Sequence, residues 1–252
     1  MSHTKPYGVH IRPSGQKTFI PLENNPVVFT KLIQTLGLSP YLAFNDIYSL
    51  SDLSLIHRPA HALMLMAPAP IYHAVRAHDP GSAELNYDGF GSEEPVTWFR
   101  QTIGHACGLI ALIHGIANGA AKSFIRPGSL IDNTLKESEP LKPPARAKVL
   151  YASQELEYAH MAAAREGDSV APESSEAGGY HFIAFIKGKD GRRLWELEGG
   201  RSGPIERGVL DEGEDVLSPR APELGVGRFL KVAKEMDNVE FSVIALAEVI
   251  EE

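Results

Sequence analysis

The chain has 252 residues, and 24 Lys and Arg against 32 Asp and Glu give it a net charge of −8. That balance speaks against nucleic acid as a partner, because phosphate binding wants a basic face. The single cysteine excludes an internal disulfide, a Cys-rich zinc site and an iron–sulfur cluster. Residues 1–14 are polar, and the longest apolar run, residues 62–69, is far short of a bilayer span. A soluble cytoplasmic protein with no membrane contact is therefore expected.

The early segment holds Asn24, Asn25 and Pro26, then Val27, Val28, Leu32, Ile33 and Leu36, then Gly37. An Asn cap, a proline in the first turn and a glycine stop predict a helix. Residues 59–67 are short, apolar and flanked by prolines, which predicts a buried strand. Residues 79–95 carry five acids with no Lys or Arg and read as a loop. Residues 107–118 are apolar on nearly every side, as a helix buried in a core would be. Helical spacing continues over residues 143–165, with Val149, Leu150, Leu156, Tyr158 and Met161 as expected core positions. Residues 166–179 carry four further acids among Ser, Gly and Pro, again with no base. The two acidic segments read as solvated loops or as a surface that steers a basic partner. An apolar run from His181, the turn at residues 188–191 and a second strand to Glu198 predict a β-hairpin. A loop over residues 199–222, a helix over 228–236 and a last strand over 240–246 complete a mixed α and β chain.

Cys107 stands where the segment Gln101-Thr102-Ile103-Gly104-His105-Ala106 turns into the apolar helix. A thiol at a helix N-terminus feels the positive end of the dipole, which favours thiolate. A small core residue is the other reading of an isolated cysteine. A nucleophilic thiol needs a base. His114 lies on the same helix about 10 Å away, His105 would have to fold back over a tight turn, and Pro59 separates His57 from His61. His181 opens a strand directly after a loop, a common address for a reactive group on a rigid scaffold. Two hairpin registers are open. Pairing Lys187 with Arg192 puts Glu198 directly across from His181, whereas an Asp190-Gly191 turn makes it a diagonal neighbour. Both leave the two backbones roughly 5–8 Å apart.

The motif Gln101-Thr102-Ile103-Gly104-x-x-Cys107-Gly108 followed by Leu112-Ile113-His114 resembles the active-site signature of the ubiquitin C-terminal hydrolases, a family of thiol proteases. The resemblance extends to Pro21-Leu22-Glu23-x-Asn25-Pro26, Leu36-Gly37-Leu38, Asp46-Ile47-Tyr48, His181-Phe182-Ile183-x-Phe185, Glu196-Leu197-Glu198-Gly199 and Phe241-Ser242-Val243-x-Ala245-Leu246. It implies a papain-like α/β/α sandwich with a central antiparallel sheet, a knotted backbone and a crossover loop, at residues 157–179, that limits the size of the leaving group. It further implies one catalytic domain over residues 1–252, acting as a monomer without metal or cofactor. By position, Cys107 matches the nucleophile, His181 the base and Gln101 the oxyanion donor. Glu198 matches a third residue that is Asp in the family, and His105 stands where the family has Asn. Asp46 matches a family position near the ubiquitin contact, and Glu23 lies in the N-terminal segment that helps bind it, which makes both binding candidates. The implied activity is release of small adducts or short peptides from the C-terminal glycine of ubiquitin through a Cys thioester. A catalytically weak ubiquitin-binding protein, or a hydrolase of a ubiquitin-like modifier, is the alternative.

Overall fold

Apolar side chains on neighbouring strands point alternately to two cores, and this alternation builds the molecule in three layers. The computed structural model describes residues 9–50, 52–53, 56–79, 86–168 and 179–249. In chain order these form β1 (His10–Ile11), β2 (Lys17–Thr18), α1 (Pro26–Leu36), β3 (Leu42–Asp46), β4 (Ala60–Pro68) and α2 (Ala69–Ala77). Then come α3 (Cys107–Ile116), a 3-10 turn (Gly119–Phe124), α4 (Leu130–Ser138), α5 (Pro143–Ala152) and α6 (Gln154–Ala163). The chain continues with β5 (Tyr180–Lys187), β6 (Arg193–Leu197), β7 (Ile205–Val209), α7 (Arg220–Leu224), α8 (Val226–Glu235) and β8 (Ser242–Glu248).

Six strands make one antiparallel sheet in the order β3-β8-β4-β5-β6-β7. Met64 of β4, Phe182, Ala184 and Ile186 of β5, and Ile244 and Leu246 of β8 face a core shared with α1 and α3–α6. Leu63 and Leu65, Ile183 and Phe185, and Val243 and Ala245 face a second core shared with α2, α7 and α8. Period-two alternation on a sheet buried on both faces is what near-continuous apolar strands require. The α/β/α layering and central antiparallel sheet agree with the expected fold.

The predicted α1 forms with its caps in place. The Asn25 side chain accepts hydrogen bonds from the N–H groups of Val27 and Val28, and Gly37 ends the helix at φ 116°. That left-handed conformation is natural for glycine. Helix α3 is buried around its circumference and lies close against its neighbours through two glycines seven residues apart. A Cβ on Gly108 would meet Leu22 at 3.2 Å, and one on Gly115 would meet Met64 at 3.1 Å.

Four expectations need correction. Residues 143–165 are two helices, because Ser153 turns extended (φ −70°, ψ 109°) and caps α6 through its hydroxyl. Tyr158 on α6 is exposed, and Val149 on α5 is only half-buried. The crossover segment cannot begin at residue 157: Glu157 is buried in α6 and paired with Lys17 at 2.7 Å. The non-helical stretch starts after Ala163, and its residues 169–178 lie outside the described residues. The loop over residues 199–222 contains β7, a short edge strand.

The acidic surface is also smaller than the sequence implies. Asp79 is buried among arginines, and Glu94 lies against the fully buried Arg146, whose Nη1 donates to it at 3.1 Å. Of the second segment, Glu166 pairs with Lys31 and Asp168 accepts from Asn25. Residues 80–85, with Glu84, and the acids Glu173 and Glu176 fall outside the described residues.

Candidate active site

The segment before α3 is pinned residue by residue. Asn118 accepts from the N–H of Thr97 at 2.7 Å and donates to its carbonyl at 3.0 Å. The Trp98 indole donates to the carbonyl of Glu198, and Arg146 donates to the carbonyl of Trp98. The N–H of Phe99 donates to His114 Nε2 at 2.9 Å. Finally, the N–H of Gln101 donates to the carbonyl of Gly199 at 2.8 Å, tying the candidate oxyanion residue to the neighbour of Glu198. The contact is too close for a larger residue: a Cβ on Gly199 would meet Gln101 Cβ at 2.9 Å. The Gln101 side-chain amide donates to the carbonyl of Ile103 at 3.0 Å, so it lies over the turn that leads to Cys107.

His114 is thereby a structural residue. Burial pushes its imidazole down to about 3, and the neutral ring accepts the Phe99 N–H. His160 is similar, pushed down by burial to about 4 and bonded to the carbonyl of Ile20. His57 is exposed, and His61 pairs with Glu248.

The turn itself fits His105 in place of Asn. His105 sits at φ 56°, a left-handed conformation in which Asn and His are enriched among non-glycine residues. Burial and the nearby Arg12 lower its pKa, so at neutral pH it is a neutral ring, with its Nδ1 unpartnered among the described residues. Gly104 before it lies against Thr18, where a Cβ would meet the hydroxyl at 2.7 Å.

Cys107 opens α3, half-buried, beside the backbone of Phe182 in β5. Burial pushes its thiol up to about 11, and the Glu198 carboxylate adds to the effect. The N–H groups of Phe182, Gly108 and Cys107 itself pull the other way and lose. The helix N-terminus therefore does not make a standing thiolate here, contrary to the sequence expectation, because desolvation exceeds the dipole.

The observed hairpin register is the diagonal one. Ala184 pairs with Leu197 and Lys187 with Leu194, so the ladder extrapolates to Ile183 opposite Glu198. His181 and Glu198 share the α2 side of the sheet. Among the described residues no hydrogen bond joins His181 to Glu198 or to Cys107. The Glu198 Oε1 instead accepts from the N–H of Gly200 and Oε2 from the Tyr72 hydroxyl, both at 2.8 Å. The Tyr72 ring lies flat on the His181 ring, with centroids 3.8 Å apart and planes at 7°. Burial, reinforced by His73 and Arg76, lowers His181 to about 4, which leaves a neutral imidazole able to accept a proton. Burial raises the Glu198 carboxyl against the hydrogen bonds from Gly200 and Tyr72. Burial also pushes the Tyr72 phenol up to about 12, so it remains a donor.

Behind this pair stands a buried charge cluster that the sequence does not advertise. Arg207 donates to Asp79 and to Glu196, Arg228 donates to Asp79, and Arg76 bridges Asp79 and Glu196. The two remaining candidates make no described contact with Cys107, although Leu22, beside Glu23, packs on Gly108. Glu23 is packed against Gly167, and Asp46 accepts from Tyr48 on the edge strand β3. That strand is three positions from β5, roughly 14 Å across the sheet.

A thiol at a helix start, an imidazole at a strand start and a buried carboxylate, carried on a layered α/β/α scaffold, are the group types that a cysteine peptidase uses. The sequence model described as "Ubiquitin carboxyl-terminal hydrolase, family 1" matches residues 19–224, a span that contains every candidate residue above. The chain belongs to this family. It is 33% identical over 228 residues to ubiquitin carboxyl-terminal hydrolase isozyme L1 of Sus scrofa, covering 90% of this chain and 96% of that relative. It is 29% identical over 239 residues to ubiquitin carboxyl-terminal hydrolase YUH1 of Saccharomyces cerevisiae, covering 91% and 96%. Its fold is similar to that of the Trichinella spiralis UCH37 catalytic domain bound to ubiquitin vinyl methyl ester. The TM-score is 0.67 and the identity 18%, with coverage of 92% of this chain and 96% of that one.

Proposed function

We propose that the chain is a thiol-dependent deubiquitinase that hydrolyses the bond after the C-terminal glycine of ubiquitin, with Cys107 as nucleophile. The observation that carries this reading is the placement of the lone thiol. It opens α3 against Phe182, the residue after His181, and close enough to Glu198 for that carboxylate to act on its charge. His181 takes the thiol proton as sulfur bonds to the carbonyl carbon. The oxyanion is held by the Gln101 amide and the Cys107 N–H, and each such donor is worth about 3–4 kcal/mol. His181 then returns the proton to the leaving group, and a thioester remains. Water, deprotonated by His181, adds to the thioester and releases the thiol and the free ubiquitin carboxylate. Glu198 orients the imidazole throughout.

Ubiquitin is the expected partner, with Glu23 and Asp46 as contacts for its basic surface. The two apolar clusters share one sheet, which supports a single catalytic domain over the chain. We further infer a cytoplasmic monomer, and the net charge of −8 speaks against nucleic acid and anionic lipid as partners. No described helix is long and apolar enough to cross a membrane.

The test is mass spectrometry after mixing the protein with ubiquitin that carries a C-terminal thiol-reactive electrophile, with Cys107→Ala as control. Stoichiometric labelling of the wild type alone is expected. Binding of ubiquitin without labelling would favour a non-catalytic ubiquitin binder, a reading for which the specific support is that Glu198 bonds Tyr72 and Gly200 and, among the described residues, not His181. Parallel reactions with electrophiles built on ubiquitin-like modifiers decide the choice of substrate.

A further inference from the structure

We propose that Tyr72 is a positioning residue of the catalytic centre, joining Glu198 to His181 through its ring. The proposal rests on the reading of Cys107, His181 and Glu198 given above. Two contacts of one side chain carry it: the hydroxyl donates to Glu198 Oε2 at 2.8 Å, and the ring stacks on His181 at 3.8 Å. No other described residue touches both groups in this way.

The placement is built into the backbone. Ala67 pairs with His181 and Pro68 with Tyr180, and the N–H of Ala69 donates to the carbonyl of Gly179. Helix α2 therefore starts beside the strand position that bears the imidazole and presents Tyr72 within its first turn. The Arg76 guanidinium lies 4.8 Å from the Tyr72 ring centroid and is itself held by Asp79 and Glu196. Stacking restrains the imidazole in one plane while Glu198 stays one methylene longer than the family's acid.

Charge flow gives the arrangement a chemical role. When His181 takes the thiol proton it becomes an imidazolium, and the face of an aromatic ring attracts a cation. A phenol that donates to a carboxylate carries extra electron density, so Tyr72 passes part of the Glu198 charge to the imidazolium. An ionised carboxylate has about four acceptor sites, and Glu198 uses two. It can accept the imidazole N–H without releasing Tyr72. The charged groups facing this pair are His73 and Arg76 from α2, Glu196 from β6, Arg201 beyond it and Cys107 from α3.

The experiment compares wild type with Tyr72→Phe and Tyr72→Leu in hydrolysis of a fluorogenic ubiquitin C-terminal amide, as kcat, KM and pH profile. Tyr72→Phe keeps the stack and removes the hydroxyl. It is expected to lower kcat about tenfold, the scale of a hydrogen bond to a charged group, and to leave KM unchanged. Its acidic limb should move to higher pH, since Glu198 loses a donor that favours the carboxylate. Tyr72→Leu should lower kcat further. If Tyr72→Leu does not fold, Tyr72→Phe, which conserves ring volume, still decides. Wild-type kcat and pH profile in Tyr72→Phe would overturn the proposal, as would faster turnover, which would make Tyr72 a brake. Failure of the underlying reading shows separately, as turnover by Cys107→Ala or no electrophile labelling of wild type, and would remove this proposal with it.

Discussion

Alkylation of the free protein tests how its resting site is set. Cys107 is the sole cysteine, so every adduct of iodoacetamide with a thiol reports on it alone. Its thiol is pushed up from an ordinary 9.0 to about 11. The thiolate fraction at pH 7.5 is then about 100-fold below that of an unstructured peptide thiol. A more basic thiolate is a better nucleophile, with a Brønsted slope of about 0.4–0.5, which returns a factor of about 6–10. Labelling at pH 7.5, followed by intact mass, should therefore run about 10- to 15-fold slower than the peptide. The rate should climb nearly tenfold per pH unit with no plateau before pH 10. A plateau below pH 8, or a rate equal to the peptide's, would refute the argument that burial outweighs the helix N-terminus. It would also imply that an imidazolium–thiolate pair stands ready before ubiquitin arrives.

Four further outcomes are expected. Glu198→Ala should lower kcat by about 10²-fold or more with the fold intact, and a loss confined to thermal stability would remove its role in orienting His181. Gln101→Ala should cost about 3 kcal/mol in the transition state, read as a fall in kcat at nearly constant KM; an equal fall in substrate affinity would refute the oxyanion assignment. Arg146→Ala would leave the buried Glu94 without its cation, held by the Tyr87 hydroxyl alone, and urea titration should show a loss of about 3–5 kcal/mol; a loss below about 1 kcal/mol would show that the pair is dispensable. His114 and His160 are held neutral in the folded state, so the unfolded chain binds more protons below about pH 6.5. These two groups should lower stability by roughly 4 kcal/mol from pH 7 to pH 5. The lowered His181 adds to the loss and the raised Glu198 carboxyl partly opposes it, and an unchanged urea midpoint would contradict the expectation.

The parts of the fold that are legible in the sequence are those with local causes. Asn25 and Gly37 bracket α1, uniform apolarity marks α3, and Gly188 and Gly191 mark the turn between β5 and β6. The diagonal register itself is not legible, because the loop closes from Gly188 to Arg193 and not as a two-residue Asp190-Gly191 turn. Helix α2 has no such signature: Pro68 caps it without a side-chain hydrogen bond, and its sequence mixes proline, histidine and arginine. β7 is five residues long, mostly half-exposed and without an apolar alternation, so it reads as loop. At the site, the motif around Cys107 and the hairpin bring Gln101, His181 and Glu198 into view. Tyr72 stays hidden because its partner Glu198 is 126 residues away along the chain. The direction of the thiol shift is hidden for the same reason, since desolvation is a property of the packed layers and not of the helix end.

The arginine–carboxylate cluster bears on motion. Asp79 at the end of α2, Glu196 in β6, Arg207 in β7 and Arg228 in α8 hold four elements at one buried knot. Sliding α2 would break several charge-assisted bonds at once around the buried carboxylates of Asp79 and Glu196. Any reorientation of His181 in the proposed mechanism is therefore expected from its own side-chain torsions, with α2 and the Tyr72 ring held in place. Rotamer exchange runs in nanoseconds when a side chain is free. On the proposed mechanism such a side-chain turn is faster than a hinge motion of packed helices, which takes microseconds to milliseconds, so the charge cluster favours a site that adjusts by side chains and not by moving α2.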